Sequence, residues 1–146
     1  MVKIYISSVI EAPADRVWAA IRDFNALPKW HPAIKDSQVE GGLPADRVGC
    51  IRNFNLKDGG NIREQLLTLS DYDYSYTYSI LESPLGVSNY IATLKVTPVT
   101  DGNRTFAEWT AEFDCDPDKA KALADGIGNG VFKGGFDGLK RQLAGR

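Results

Sequence analysis

The sequence predicts an α+β fold in which a curved antiparallel sheet of about seven strands wraps around a long C-terminal helix. Three observations predict it. Segments of strict apolar–polar alternation follow one another through most of the chain, which is the signature of half-buried strands. The turns between six of these segments are short, and short turns join antiparallel neighbours. The last stretch, Pro117 to about Leu143, instead repeats apolar residues at helical spacing: Leu123, Ile127, Val131, Leu139 and Leu143, with Phe132 and Phe136 beside them. At about 1.5 Å per residue that helix runs roughly 40 Å, the width of a small domain.

In chain order, Val2, Ile4, Ile6 and Ile10 alternate with Lys3, Tyr5, Ser7 and Glu11 as a first strand. Ala12-Pro13-Ala14-Asp15 stops it and opens a helix whose apolar face is Val17, Trp18, Ile21 and Phe24. Leu27 to Pro32 is a short helical turn between two prolines, and both helices are expected to be scaffold. Ile34 to Glu40 forms the next strand. Asp36, Gln38 and Glu40 are its wet side, which predicts that Lys35 turns inward with Ser37 and Val39. After Gly41-Gly42-Leu43-Pro44, the residues Cys50, Arg52, Phe54 and Leu56 share one face. Asp58-Gly59-Gly60-Asn61 is a hairpin signal, followed by Ile62, Glu64 and Leu66 on one face. Tyr74, Tyr76, Tyr78 and Ile80 alternate with Ser75, Thr77 and Ser79. Tyr90, Ala92, Leu94 and Val96, then Ala107, Trp109, Ala111 and Phe113, complete the inner faces. The glycine pairs 41–42 and 59–60 are candidates for bends that let the sheet close.

Glycine is the anomaly of the terminal helix. Gly126, Gly128, Gly130, Gly134, Gly135 and Gly138 lie inside it, and each costs about 1 kcal/mol relative to alanine in a helix interior. Either the helix breaks near Gly126–Gly130, or side chains are missing where a cavity must stay open. The second is the expectation. Asp116 is available as the cap, with Pro117 in the first turn.

Composition bounds the function. The chain has 146 residues, 43% of them hydrophobic and 25% charged, and the expectation is one domain over residues 1–146. A net charge of −2 gives no footprint for nucleic acid. No apolar run approaches the roughly 18 residues of a membrane span, and the alternating N-terminus reads as a strand and not a signal peptide. Two cysteines and one histidine make neither a disulfide framework nor a metal site, so no metal and no cofactor are expected, in a cytoplasmic setting.

The informative residues are charges on faces that should be dry: Lys35, Arg52 and Glu64. A lone charge in an apolar interior is very costly, so each must be paired, shifted in pKa or wetted. Arg52 or Lys35 paired with Glu64 is one outcome. A polar patch deep in an apolar cavity is the other, with walls of Phe54, Tyr76, Tyr78, Tyr90 and Trp109 from the sheet and Ile127 and Val131 from the helix. Cys50 reads as an inert buried thiol and His31 as a structural or surface residue. Should the site be catalytic, Glu64 as a desolvated base and a tyrosine hydroxyl such as Tyr78 as acid are the candidates.

The order of these elements resembles the START-like, polyketide cyclase/dehydrase superfamily and its helix-grip fold. The resemblance is carried by the opening strand, Ala12-Pro13…Val17-Trp18…Ile21-Arg22-Asp23-Phe24, Leu27-Pro28-Lys29-Trp30-His31-Pro32, Arg47-Val48-Gly49-Cys50…Arg52, Ile62-Arg63-Glu64 and the terminal helix. It implies a hydrophobic cavity between sheet and helix that binds or converts small apolar or aromatic molecules. The chain is also similar to the plant abscisic acid receptors. By that similarity Lys35 would meet a ligand carboxylate, Glu64 would be its neighbour, and Tyr90, after Asn89, a pocket tyrosine. The receptors' gate is here cut to Asp58-Gly59-Gly60 and their latch replaced by Leu85-Gly86-Val87. Three functions follow as expectations. The first is binding of a small hydrophobic, acidic or polyketide-like ligand by a monomer or weak homodimer. The others are a cyclase/dehydrase-type enzyme using Glu64 and Tyr78, and an interaction module whose cavity has collapsed around a Lys35–Glu64 pair.

Overall fold

A computed structural model describes residues 1–144. Seven strands form one antiparallel sheet: β1 (Val2–Ile10), β2 (Ile34–Val39), β3 (Ile51–Leu56), β4 (Asn61–Ser70), β5 (Ser75–Glu82), β6 (Ser88–Val99) and β7 (Arg104–Asp114). Their order across the sheet is β1-β7-β6-β5-β4-β3-β2. Sequential strands are neighbours from β2 to β7, as short turns require. β1 then closes back on β7, in register from Val2 opposite Phe113 to Ile10 opposite Thr105.

β1 and β2 are therefore opposite edges, and the chain between them crosses the open end of the sheet. Two short helices make that crossing, α1 (Ala14–Ile21) and α2 (Leu27–Trp30). α1 buries Ala14, Val17, Trp18 and Ile21, and α2 buries Leu27 and Trp30. Trp18 is also held at its polar atom, donating from Nε1 to Asp71 at 2.8 Å. Arg22 donates to both oxygens of the same carboxylate at 2.6 and 2.9 Å, which ties the crossing to the β4–β5 turn.

The inner faces read from alternation are the core. Leu66, Leu94, Ala107 and Cys50 are wholly buried, and Tyr76, Tyr78, Trp109 and Phe113 nearly so. Register shifts interrupt three strand pairs at four places: between Ile34 and Asp36, between Arg63 and Glu64, between Leu66 and Thr68, and between Ser88 and Ile91. Such bulges increase local twist and bend the strand that carries them. Gly41, Gly42 and Gly59 all have positive φ but lie in the turns after β2 and β3, so they shape connections and do not bend strands.

The terminal helix starts where the sequence places it. Asp116 accepts from the Asp118 amide at 3.0 Å, and Pro117–Lys119 form a 3₁₀ turn. The coil then runs as α3 (Ala120–Asp125), a wider π-helical segment (Gly126–Lys133) and α4 (Gly134–Ala144). The glycines do not keep a cavity open. A Cβ on Gly138 would collide with the Trp30 carbonyl oxygen and with Pro32. One on Gly135 would come within 2.8 Å of the His31 ring and 2.9 Å of Trp109. Gly128 sits against Ile4 and Ile6 of β1, while Gly126, Gly130 and Gly134 have open space where a side chain would be. Three glycines thus let the helix backbone pack closely, its first half on β1 and its second half on α2. The π segment joins the two. Phe132 from that segment stacks on Trp109 at 4.4 Å between ring centroids, so the sheet and helix meet through aromatic faces.

Candidate functional site

A cavity of about 80 Å³ lies between the sheet and the helix. Its inner end is built by β3, β4, β5 and β7, which contribute Arg52, Glu64, Tyr78 and Trp109. Its walls are apolar: Leu27, Ile34, Phe54, Ile62 and Ile127. The mouth carries residues that are only partly covered, among them Ala33, Leu56, Leu85 and Val131.

The register explains the inner end. Arg52 and Glu64 face each other directly across β3 and β4, and both point inward by strand alternation. Arg52 is 1% exposed and Glu64 6%, so the pair is as dry as the core around it. Arg52 Nε donates to Glu64 Oε1 at 2.8 Å, and its terminal nitrogen approaches the same oxygen at 2.6 Å. The other terminal nitrogen donates to the Phe24 carbonyl at 2.9 Å. The guanidinium plane lies over the Phe24 ring at 3.8 Å and near that of Tyr78 at 4.9 Å. Burial pushes the Glu64 carboxyl above the usual carboxylate range, and Arg52 beside it pulls it back. Both contacts from Arg52 fall on Oε1. Among the described residues no hydrogen bond reaches Oε2, and Glu64 lines the cavity.

Tyrosine hydroxyls complete this end. Trp109 Nε1 donates to the Tyr78 hydroxyl at 3.0 Å. Tyr90 adjoins Tyr78 with ring centroids 6.5 Å apart. Burial raises both phenols well above their ordinary pKa, so both stay protonated at neutral pH.

His31 is the site residue that sequence reasoning missed. It is 2% exposed, lines the cavity, and has both ring nitrogens engaged. Nε2 lies 2.7 Å from the Val131 carbonyl oxygen, and Nδ1 accepts from the Ala33 amide at 3.2 Å. A carbonyl at one nitrogen and an N–H at the other fix the neutral Nε2–H tautomer. Burial lowers its pKa, and the bond to Val131 partly opposes that. The signal was present in Pro28 and Pro32, which make the α2 turn rigid and leave His31 at its end with a fixed direction.

The structure brings together Arg52, Phe54, Glu64, Tyr78, Tyr90, Trp109, Ile127 and Val131 around one cavity. It does not bring Lys35 or Tyr76 there. Ile34 pairs with Leu56 and Asp36 with Asn55, so Lys35 is the extra residue of a bulge and is exposed. The inward direction expected for it from alternation holds only from Ser37 onward. The collapsed Lys35–Glu64 pair therefore does not form; Arg52 takes the partner's place. Tyr76 is fully buried but lies behind the cavity, packed on Trp18 and edge-on to Phe24.

Comparisons with known proteins agree with this architecture. A family model described as polyketide cyclase / dehydrase and lipid transport matches residues 1–144. The abscisic acid receptor PYL7 of Arabidopsis thaliana is 30% identical over 92 residues, which is 61% of this chain and 42% of the receptor. The match thus spans less than half the length of that relative. Among solved structures, the protein XoxI from Bacillus cereus has a TM-score of 0.87 at 29% identity, over 99% of this chain and 96% of its own. A protein from Thermobifida fusca has a TM-score of 0.87 at 31% identity, over 99% and 95%. An uncharacterized protein from Bacillus thuringiensis has 0.86 at 28%, over 97% and 98%.

Proposed function

Because the chain belongs to the polyketide cyclase / dehydrase and lipid transport family, we propose that it binds a small, mostly apolar molecule in the cavity between sheet and helix. The observation that carries this reading is the composition of that cavity. Apolar walls end on a short row of convergent polar groups, which is how small-molecule sites combine affinity with orientation. One relative is named as an abscisic acid receptor, a protein named for a small molecule that it binds. A volume of about 80 Å³ is small beside the roughly 300–1,000 Å³ of pockets for drug-sized ligands. The occupant is therefore compact, of the order of one ring, or it displaces Leu85, Leu56 and Val131 at the mouth as it enters.

Turnover by Glu64 and Tyr78 asks more of the same residues. Arg52 holds the Glu64 carboxylate against the rise that burial causes, and burial holds the Tyr78 proton in place. Binding needs neither proton to move.

A thermal-shift screen with one-ring aromatic compounds tests the proposal. A ligand at 100 times its dissociation constant adds about 2.7 kcal/mol, or roughly 5–10 °C for a chain of this size. The backbone amide signals of Ile62, Tyr90 and Val131 should shift in the same titration. Stabilisation with those signals unmoved would place the ligand elsewhere and refute the reading.

A further inference from the structure

We infer that the polar end of this cavity selects a neutral ligand that donates a hydrogen bond, an alcohol, phenol or amide N–H aimed at Glu64 Oε2, and rejects carboxylates. The inference rests on the binding reading above and names the chemistry of its ligand.

Apart from the Tyr78 and Tyr90 hydroxyls, the donors at the inner end are engaged with protein partners. The positive charge there is Arg52, and it is already paired with Glu64. Its Nε donates to Glu64 Oε1, one terminal nitrogen lies 2.6 Å from the same oxygen, and the other donates to the Phe24 carbonyl. Its faces are covered by the rings of Phe24 and Tyr78. Lys35, the other cation that could have met an acid, stands exposed on its bulge outside the cavity. His31 is neutral, and its single N–H is given to the Val131 carbonyl. Trp109 Nε1 is given to Tyr78. Among the described residues an entering carboxylate would thus meet only a cation already paired, and would lie as a second negative charge beside Glu64 in a dry site, where unbalanced charge is costly.

The opposite need is open. Glu64 lines the cavity, and its Oε2 is a carboxylate acceptor that no donor among the described residues reaches. Hydrogen bonds to an ionised acceptor are shorter and about twice as strong as neutral ones. A ligand hydroxyl or amide N–H satisfies that oxygen and leaves the Arg52–Glu64 pair intact. The remainder of the molecule then lies against Ile62, Ile127 and Val131.

Three probes of one shape separate the cases: toluene, benzyl alcohol and benzoate, each titrated at pH 7 by calorimetry and thermal shift. The expected order is benzyl alcohol tighter than toluene by about tenfold, with benzoate weakest. Glu64→Gln removes the negative charge and frees Arg52, so benzoate should become the tightest of the three. Benzoate binding as well as or better than the alcohol to the native protein would overturn the inference while leaving the binding reading standing. No binding by any probe would overturn both. Should Glu64→Gln fail to fold, the order on the native protein decides by itself.

Discussion

Replacing Gly138 by alanine should destabilise the protein, although alanine is the better helix former. The intrinsic gain of Gly→Ala inside a helix is about 1 kcal/mol. At Gly138 the new Cβ would collide with the Trp30 carbonyl oxygen and the Pro32 ring. Both belong to the stiff turn between α2 and β2, and a backbone carbonyl followed closely by proline has little room to withdraw. Overpacking of this kind costs about 1–3 kcal/mol beyond any intrinsic gain. Gly134 is the control. It has helical φ and ψ of −59° and −39° and open space where the Cβ would go, so Gly134→Ala should gain most of the intrinsic term. The two variants carry the same substitution four residues apart in one helix and should differ by about 2–4 kcal/mol. That is roughly 5–15 °C in Tm for this chain length. Urea and thermal unfolding followed by circular dichroism measure it directly. Equal stabilities, or a more stable Gly138→Ala, would refute the claim that close approach of α4 to α2 is what requires glycine there.

Other outcomes follow from the same geometry. Arg52→Met leaves the Glu64 charge buried without a partner and should cost about 3–5 kcal/mol, whereas the double replacement Arg52→Met with Glu64→Leu should recover most of it. A double replacement no more stable than the single one would show the site tolerates the lone carboxylate. Asp71 is held at about 2 by Arg22 and Trp18, and Glu40 at about 2 by Arg63. Both are depressed from the usual carboxylate range, so the stability they supply is full above pH of about 4 and fades as pH falls toward 2. Carboxyl NMR titration should find both midpoints well below those of exposed acids, and ordinary midpoints would remove these contacts from the acid response. His31 should remain the neutral Nε2–H tautomer at pH 7, with a folded pKa below its ordinary 6.5. Its contribution is present above that ordinary value and lost on acidification through the folded one, and long-range nitrogen–proton spectra report the tautomer.

The strands and the terminal helix were legible because they obey simple periods. Tyr76, Tyr78, Leu94, Trp109 and Phe113 lie inward as alternation requires, and Asp116 caps where a cap was expected. What failed did so where a period is locally broken or where a residue needs a distant partner. One inserted residue at the Ile34–Asp36 bulge reverses Lys35, and nothing in the alternation of β2 announces it. Tyr76 faces inward like Tyr78, but only the course of α1 and the segment after it decides that Trp18 and Phe24 cover it. The helix glycines were visible as an anomaly. Their cause, backbone contact with a turn about a hundred residues earlier, was not. Likewise His31 gains its role from a carbonyl that the π segment places 2.7 Å away.

The Arg52–Glu64 pair also bears on how the chain finds its pairing. A one-residue slip of β3 against β4 would turn every inner side chain outward and is heavily disfavoured. A two-residue slip keeps each side chain on its own face and, between purely apolar strands, would cost little. Here it would set Arg52 against Ile62 or Leu66 and bury two charges apart from each other. The contact that shapes the end of the cavity thus also penalises the one misalignment that hydrophobic patterning cannot detect. Removing it in the double replacement should yield a hairpin that is stable enough but less faithful, with minor species of shifted register during refolding.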